Sequence, residues 1–286
     1  MPNNMNQKEY PLLNPVSLPH PGKLLIIEPL DYPNPYDFHQ AHRHDYFEII
    51  LVKNGNGFQL IDFTPYNIQQ GQLFTIYPGQ VHLMERNTAE GMIIQFRKDI
   101  FEFIHPLKHS HLFFSEASFD LDNETFSHLY DMTESIWQLL QKDELSPLSI
   151  HKAYSYLQII LITLIEKHCN NTLDIQGHQV VTQFLSLLPQ HIKTKKKVSE
   201  YCELMNCSSD KLNLACKNRL GKTALKLIHE EMILEIRRLL LLNQLSLKEI
   251  AYELNFDSPA NFSGFIKANT GLTPTELQSS ILKIYN

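Results

Sequence analysis

The residues of this chain whose types and spacing could do chemistry are three histidines and one glutamate. His42 and His44 are separated by one residue, Glu48 follows after three more, and His82 comes further along. Imidazole nitrogens and a carboxylate suit Mn, Fe, Ni or Zn in sites with open coordination positions. If His82 joins the first three from a neighbouring strand, the four side chains offer a metal site.

The elements that must position these residues are short strands. Runs of β-branched and aromatic residues alternate with glycine, proline and asparagine, which is the pattern of strands and turns. Short strands at near-regular spacing predict a small barrel or jelly roll. Residues 1–21, rich in asparagine and proline, are predicted to be a flexible arm. The predicted strands are 24–27, 47–52, 57–62, 72–77 and 92–96.

The spacing of the four residues resembles the two-part motif of the cupin family. His42-x-His44-x3-Glu48-x6-Gly55 matches the first part, and Pro78-Gly79-Gln80-Val81-His82 resembles the second, although its proline and glycine are adjacent. The resemblance leaves two interpretations open, a bound metal and pocket-lining or hydrogen-bonded structural side chains. We favour the second and predict no cofactor and no catalytic residues, with His42, His44, Glu48 and His82 as the candidates if a metal is bound.

The middle of the chain changes to a helical period. Apolar residues from Phe126 to Leu140 and from Ile150 to Ile165 predict two amphipathic helices, with Ser146-Pro147 between them. These helices either pair between subunits or cover the open edge of the barrel, and we favour pairing. The polar stretch Cys169–Thr172 is the predicted linker to the last domain.

Composition limits the class of protein. The chain is 43% hydrophobic and 20% charged, and we expect no membrane span because no run of about 18 uncharged apolar residues occurs. The N-terminus lacks a signal peptide, and the four cysteines have no zinc-site spacing, so we expect a cytoplasmic protein with reduced thiols. Residues 174–286 carry 14 lysines and arginines against 11 carboxylates, whereas the first 173 residues are acidic. A mildly basic C-terminal part favours DNA as its partner.

The C-terminal part contains two predicted helix pairs. Ser246 and Glu249 form a capping box, Ser258-Pro259 begins the following helix, and Gly271 ends it. An earlier pair covers 198–205 and 208–219, and a predicted helix over 223–242 joins the two pairs. That helix is about 30 Å long, close to the ~34 Å rise of one DNA turn. Two helix-turn-helix motifs on such a rod could enter successive major grooves, although an ordinary helical bundle gives similar spacing.

The second helix pair closely resembles the AraC/XylS family of transcription regulators. The residues that carry the resemblance are Glu249-Ile250-Ala251, Leu254-Asn255-Phe256, Phe262-Ser263, Phe265-Ile266-Lys267 and Gly271-Leu272-Thr273-Pro274. The resemblance implies a two-domain α+β protein, with a cupin-like sensor barrel at 22–100 and a helical dimerisation element and linker at 101–173. A DNA-binding domain with two helix-turn-helix motifs would occupy 174–286. It also implies a homodimer that binds promoter DNA and a small-molecule effector, and possible contact with RNA polymerase is part of the same expectation.

Two residue sets follow from the resemblance. Asn213 is expected to bond adenine, and Asp210 is expected to accept from cytosine. Gly264 stands where the family usually has arginine, and Leu214 and Cys216 also depart from the family pattern. We therefore expect modest base specificity. The predicted DNA contacts are Ser208, Ser209, Asp210, Lys211, Asn213, Leu214, Lys217, Arg219, Lys222, Ser258, Pro259, Ala260, Asn261, Ser263, Gly264 and Lys267. The predicted effector pocket is His42, His44, Glu48, Ile50, Phe58, Leu60, Tyr77, His82 and Phe96.

Two other functions remain open at this point. One is a cupin metalloenzyme with an accessory helical tail, which would need metal in near-stoichiometric amount. The other is a metal- or sugar-binding protein that has lost DNA recognition, which the missing arginines would fit.

Overall fold

The computed structural model describes residues 16–20, 22–33, 40–104, 117–141, 145–169 and 175–285. Most of the predicted arm, and all of the predicted linker except Cys169, lie outside the described residues. Within them, the chain forms a β-sandwich, a pair of helices and a helical C-terminal domain, which confirms the predicted α+β class.

The described strands form two antiparallel sheets. One sheet has the order β1-β8-β3-β6-β9 and the other has the order β2-β7-β4-β5. Most consecutive strands alternate between the sheets in the manner of a jelly roll. The strands are β1 (Leu25–Pro29), β2 (His42–Arg43), β3 (Phe47–Asn54), β4 (Gly57–Ile61), β5 (Thr64–Ile68), β6 (Gln72–Ile76), β7 (Val81–Glu85), β8 (Glu90–Phe96) and β9 (Ser118–Asp120).

The five predicted strands are confirmed as β1, β3, β4, β6 and β8, with ends that differ by a few residues. The sequence pattern missed the two shortest strands, β2 and β9, as well as β7 and the mostly exposed β5, which contains Pro65. Because β9 pairs with β6, the sandwich extends beyond residue 100. Val16 bridges to His44 and exchanges backbone hydrogen bonds with Arg43 and Asp45, so this part of the predicted arm is fixed to the sandwich.

The two faces of β3 have different partners. Ile50 and Val52 belong to an apolar cluster between the two sheets, with residues of β4 to β8. The alternate residues Phe47, Ile49 and Leu51 belong to a cluster that includes the helices α1 (Asn123–Leu140) and α2 (Pro147–Cys169). Alternation along a strand therefore places Glu48 on the same side as Ile50, between the sheets.

Helix α2 bears on the expectation of no membrane span. By length and composition alone, Pro147–Lys167 would suffice to cross a membrane. In the structure α2 packs against α1, and its buried side contributes Ala153, Leu157 and Leu161 to the cluster under the sheet. An amphipathic core helix of a folded domain satisfies the same length and composition criterion.

The C-terminal domain consists of seven further helices among the described residues. Most predicted ends are confirmed by their hydrogen bonds, for example Ser246 N to Glu249 Oε2 at 2.8 Å. Pro189 lies inside α3, which continues to His191. Proline removes only its own N–H donor, and Ile192 N still donates to Leu188 O. The helices are α3 (Ile175–His191), α4 (Val198–Met205), α5 (Ser209–Leu220), α6 (Ala224–Leu242), α7 (Leu247–Glu253), α8 (Pro259–Thr270) and α9 (Pro274–Tyr285).

Helix α6 is the centre of this domain. It contacts every other helix of the domain, and Ile228, Met232 and Ile236 are buried in the core. The same apolar cluster includes Val81 of β7, and Phe63 of the β4–β5 turn packs against it. The sandwich and the helical domain therefore share apolar packing at their contact.

Candidate functional site

The four histidine and glutamate side chains of the predicted site converge between the sheets. Pairing of β2 with β7 places His42 opposite His82, and their ring centroids lie 4.3 Å apart. The ring of His44 lies 4.9 Å from that of His82, and its Nε2 atom lies 4.0 Å from Glu48 Oε2. All four residues are buried. The spacing in the sequence therefore corresponds to one compact group, called here the His/Glu cluster (His42, His44, Glu48 and His82).

Backbone carbonyls fix the orientation of two of these imidazoles. His44 Nδ1 lies 2.6 Å from Tyr46 O, and His42 Nδ1 lies 2.9 Å from Gln40 O. A carbonyl oxygen only accepts, so each Nδ1 carries the proton and, in a neutral ring, Nε2 keeps the lone pair. Glu48 Oε2 accepts a 2.9 Å hydrogen bond from Gln95 Nε2.

Several buried polar atoms in this region have no hydrogen-bond partner among the described residues. They are His44 Nε2, both ring nitrogens of His82, both amide atoms of Gln59 and the Gln95 oxygen. An unpartnered buried polar atom costs free energy and is uncommon in folded proteins. The ligand atoms of His44, Glu48 and His82 lie within 4.8 Å of one another. The arrangement therefore fits a metal ion.

Burial sets the protonation of the cluster. Desolvation raises the pKa of Glu48 to about 7, against the opposing effect of its Gln95 hydrogen bond. Desolvation and the neighbouring His42 lower the pKa of His44 to about 3 and hold that of His82 well below its ordinary value. Both imidazoles are therefore neutral near pH 7, and their lone pairs are available to a ligand.

A cleft of about 250 Å³ borders the cluster at His44. It lies between the sandwich and the end of α3, where Lys98 Nζ donates to Gln190 Oε1 over 3.0 Å. Typical small-molecule pockets are about 300–1,000 Å³, so this cleft suits a small ligand. Its lining is His44, Asp45, Phe47, Pro78, Gly79, Lys98, Pro189 and Gln190.

The predicted effector pocket is only partly brought together. Ile50 joins the cluster of residues between the sheets, near the histidines, whereas Tyr77 and Phe96 lie in the apolar cluster that includes α1 and α2. Phe58 and Leu60 alternate with Ile61, which faces the space between the sheets, so they face the other side of β4.

Sequence reasoning missed two glutamines of the site. Gln59 and Gln95 are fully buried within otherwise apolar strands and face the space between the sheets. A single amide between large apolar residues, as in Phe58-Gln59-Leu60 and Ile94-Gln95-Phe96, is a signal that could have identified them.

The candidate DNA surface is formed by the two helix-turn-helix units, α4–α5 and α7–α8. Ser208 caps α5 by accepting from Lys211 N over 3.2 Å. Asp210 and Lys217 are exposed, and Leu214 has 62% of its surface exposed. The residues of the predicted set that are exposed on this unit are Ser208, Ser209, Asp210, Lys211, Leu214, Lys217 and Lys222.

The predicted contacts of the second unit include fewer exposed polar side chains than those of the first. Ser258 Oγ caps α8 by accepting from Asn261 N, and Ser263 Oγ donates to Pro259 O within the helix, so both hydroxyls have internal partners. A side chain built at Gly264 would meet open space. The predicted contacts that are exposed here are Ala260, Asn261, Gly264 and Lys267, while Ser258, Pro259 and Ser263 are half-buried.

Three predicted DNA contacts differ from the others of the first unit. Asn213 is half-buried, and its Oδ1 accepts from Ala224 N at the start of α6 over 3.0 Å. Bidentate recognition of adenine needs both amide atoms, so the expected adenine contact is inconsistent with this arrangement. Lys222 pairs with Glu230 at 2.8 Å, and the side chain of Arg219 lies outside the described residues.

The lysine run before α4 joins the two helix-turn-helix units. Lys193 pairs with Glu253 of α7 at 2.7 Å. Lys196 donates to Asn255 O in the α7–α8 turn, and its Nζ lies 3.8 Å from the centroid of the Phe256 ring. Lys193 and Lys196 therefore contribute contacts that hold the two units together.

A buried ion network connects the sandwich to α6. Arg238 donates to both oxygens of Asp62, from Nε at 2.8 Å and from Nη2 at 2.6 Å. Arg43 of β2 donates to Glu235 over 2.8 Å. Arg238 also lies 3.4 Å from Glu235 and 3.5 Å from Glu231. We call these five residues the α6 network (Arg43, Asp62, Glu231, Glu235 and Arg238).

Charge and burial determine the protonation of this network. The carboxylates of Asp62, Glu231 and Glu235 raise the pKa of Arg238, against the opposing effect of burial. Burial raises the pKa of Glu231 to about 7, although Arg238 opposes the shift. The arginine therefore stays charged at any ordinary pH.

Comparison with known proteins agrees with this division of the chain. Residues 25–148 match the family described as AraC-like ligand binding domain, and residues 201–280 match the family described as helix-turn-helix domain. The HTH-type transcriptional activator RhaS of Escherichia coli (strain SE11) is 22% identical over 248 residues, which cover 83% of this chain and 86% of RhaS. RhaS of Enterobacter sp. (strain 638) is 20% identical over 250 residues, with the same coverage.

Two solved structures are similar at lower identity. ToxT from Vibrio cholerae O395 is 12% identical and has a TM-score of 0.39, with 90% of this chain and 97% of that chain covered. The xylose-binding transcription activator xylR is 18% identical with a TM-score of 0.32, over 49% of this chain and 43% of that chain. Since the two family matches together span most of the sequence, the chain belongs to the AraC/XylS family of transcription regulators, with an N-terminal ligand-binding domain and a C-terminal helix-turn-helix domain.

Proposed function

We propose that this regulator binds promoter DNA as a cytoplasmic homodimer, with α5 and α8 of each subunit in successive major grooves. A ligand held by the sandwich would change DNA affinity through α6. The proposal includes no catalytic step. It would allow contact with RNA polymerase at the promoter.

The geometry of α6 carries the proposal. Its 19 residues span about 28 Å, against about 34 Å for one turn of DNA. The helix is held on its buried side by the domain core, so it acts as a rigid connection between the two units. A bundle helix can have this length, so the exposed side chains of α5 and α8 support the proposal beside the length of α6.

The exposed side chains favour affinity through phosphates over base specificity. Lys211, Lys217 and Lys267 are exposed cations on the recognition helices. Leu214 offers an apolar surface that suits a thymine methyl group, and Asp210 could accept from cytosine. Lysines that contact phosphates position a protein on DNA but carry no sequence information.

The α6 network supports communication between the domains. Arg43 lies in the sequence between His42 and His44 of the His/Glu cluster, and its guanidinium reaches Glu235 on α6. A ligand that shifts β2 would therefore shift an ion pair on the helix that carries both DNA-binding units. The population of DNA-competent arrangements would change by the differential affinity of the ligand for the two arrangements.

The outer side of α2 supports the dimer. Leu148 is 80% exposed and Ile159 is 45% exposed, and both lie on the side of α2 that faces away from the buried residues Ala153 and Leu157. A second copy of the chain would bury this apolar surface against its own α2.

The test is a binding titration with the duplex upstream of the protein's own gene and a scrambled duplex of equal length. Tighter binding to the native sequence and a steep fall in log affinity against log salt are expected. Lys217→Ala and Lys267→Ala should each weaken binding to both duplexes and reduce the salt slope by about 1. Lys53→Ala, at an exposed lysine of the sandwich, is the matched control and should bind as wild type.

Two results would contradict the proposal. One is equal, weak binding of wild type to the two duplexes at every salt concentration. The other is an unchanged salt slope in both the Lys217 and the Lys267 variants.

A further inference from the structure

We propose that the loop before α4 fixes the angle between the two helix-turn-helix units, so that the protein selects DNA by the spacing between the two sequences that α5 and α8 contact. The positioning residues are Lys193 and Lys196. Together with their partners they are called here the lysine brace (Lys193, Lys196, Glu253, Asn255 and Phe256). The inference rests on the proposed binding of both units to DNA.

Helix α6 sets the separation of the two units but is joined to each of them by a turn. The chain leaves α5 through Gly221, whose φ is 65°, and leaves α6 through Asn243, whose φ is 49°. Apolar packing on α6 holds each unit. Contacts that pass directly from one unit to the other restrict their relative rotation further.

The Lys196 side chain is bound to the second unit at the turn between α7 and α8. Its ammonium donates to Asn255 O over 2.5 Å and lies 3.8 Å from the centroid of the Phe256 ring. This turn is fixed to α7, because Phe256 N donates to Ala251 O over 2.9 Å. The Phe256 ring packs against that of Phe262 in α8, with centroids 5.4 Å apart. One side chain therefore separates Lys196 from the recognition helix.

The backbone of the same lysine is fixed to the first unit. Lys196 N donates to Glu200 Oε2 over 2.8 Å, and Lys197 N donates to the same oxygen over 2.7 Å. The hydroxyl of Tyr201 donates to Lys195 O over 3.0 Å, and the Tyr201 ring is buried in the domain core. The Lys196 side chain therefore spans from the start of α4 to the turn before α8.

Lys196 is the main residue of the brace. Lys193 adds an ion pair with Glu253, but that pair is largely exposed, and exposed pairs contribute little. A lysine that serves to contact DNA phosphates keeps its ammonium free until DNA binds. The ammonium of Lys196 already has two partners within the chain, whereas the neighbouring Lys197 is exposed.

A rigid connection makes DNA binding depend on spacing. Two linked modules gain affinity when both engage, and the gain is lost when geometry forbids simultaneous engagement. One inserted base pair moves the second contacted sequence by about 3.4 Å and rotates it by about 35° around the duplex. A braced domain cannot follow this displacement, whereas a domain whose units rotate freely follows it in part.

The experiment uses the full-length chain and the duplex upstream of its own gene, in which footprinting first locates the two contacted sequences. A second duplex carries one extra base pair between them. The spacing ratio is the Kd for the longer duplex divided by the Kd for the native duplex. We expect a ratio of about ten or more for wild type and one at least about threefold smaller for Lys196→Met. Lys196→Arg keeps a cation over the Phe256 ring and should retain the wild-type ratio.

The matched control is Lys197→Met, which removes the same charge from an exposed neighbour and should keep the wild-type spacing ratio. Circular dichroism checks that the variants fold. A second measurement needs no DNA. Spin labels attached through non-natural amino acids at the exposed positions of Asp210 in α5 and Ala260 in α8 report the distance between the two units. The distance distribution should be narrow in wild type and in the control, and broader in Lys196→Met.

The proposal is overturned if the wild-type spacing ratio is near one, or if folded Lys196→Met keeps the wild-type ratio or the wild-type distance distribution. An unchanged ratio with a salt slope lowered by about 1 would identify Lys196 as a phosphate contact instead. Equal binding of wild type to its own upstream duplex and to a scrambled one, together with a broader distribution in Lys196→Met, would support the brace and count against the proposed function alone.

Discussion

The His/Glu cluster and the α6 network are both buried groups of charged and polar side chains, yet they differ in how their atoms are satisfied. In the network, Asp62 accepts four hydrogen bonds, two from Arg238, one from Gln80 and one from Val81 N. In the cluster, His44 and His82 keep nitrogens without partners among the described residues.

The difference indicates different roles. A buried ion pair with good geometry and further hydrogen bonds repays the desolvation of its charges, so the network serves to hold two parts of the chain together. A buried group with open lone pairs costs stability until something binds to it. The contrast supports the proposal that the cluster holds a ligand and that the network transmits a shift from the cluster to α6. The following substitutions test this contrast.

The largest effect is expected at Arg238. Arg238→Met keeps an unbranched apolar side chain but leaves Asp62 as a buried carboxylate without its cation, and Glu235 with Arg43 alone. We expect a loss of about 3–5 kcal/mol in the free energy of unfolding, measured by urea denaturation. The control is Lys53→Met, at an exposed pair with Glu134, which should cost less than about 1 kcal/mol. Equal losses in the two variants would contradict a holding role for the network.

A smaller effect, dependent on pH, is expected at Glu231. Its folded-state pKa is raised from 4.5 to about 7, mainly by burial, with Arg238 opposing the shift and Asp62 and Glu235 adding to it. The stabilising contribution of its proton is complete below about pH 4.5 and is lost as pH rises through 7.

Glu231→Gln cannot ionise, so its stability relative to wild type should rise by about 1–3 kcal/mol between pH 4.5 and pH 8. Urea denaturation at both pH values measures the change. Glu230→Gln, at the neighbouring and more exposed carboxyl, should show a smaller change. A difference between Glu231→Gln and wild type that stays constant with pH would show that burial does not hold this proton.

The two buried glutamines allow a matched pair of substitutions in metal-free protein. Gln59→Leu removes an amide with no partner among the described residues and should raise the free energy of unfolding by about 1 kcal/mol. Gln95→Leu removes the donor to Glu48 and should lower it by about 1–3 kcal/mol. Thermal and urea denaturation report both. Effects of the same sign would mean that the unpartnered atoms do not distinguish the two positions.

The smallest effect is expected at Gly264, away from both regions. Gly264→Ala places a methyl group in open space on α8 and should stabilise the protein by about 0.5–1 kcal/mol, because alanine is the better helix former. Urea denaturation measures this change in the free energy of unfolding. The change serves as a reference for a substitution that affects no polar contact. A destabilised variant would show that this face of α8 is in contact with another part of the protein.

Local signals accounted for much of the fold. Ser246 and Glu249 form their predicted hydrogen bonds, because a capping box depends only on residues three positions apart. The convergence of His42 and His82 also follows a motif spacing. The pairing of Arg43 with Glu235 could not be predicted, because 192 residues separate them and no local pattern marks the pair. Asn213 was expected on the DNA surface, but its partner Ala224 N belongs to the next helix.

The central claim is that the sandwich and the DNA-binding domain are coupled through the α6 network. Titration of the native upstream duplex with wild type and with Glu235→Gln, which breaks the pair with Arg43, tests it most directly. Asp99→Asn, at an exposed pair with Arg97, is the control. Coupling of typical strength predicts a change in Kd of about fivefold or more for Glu235→Gln and none for the control. The same Kd in all three proteins would show that DNA binding is independent of the contact between the domains.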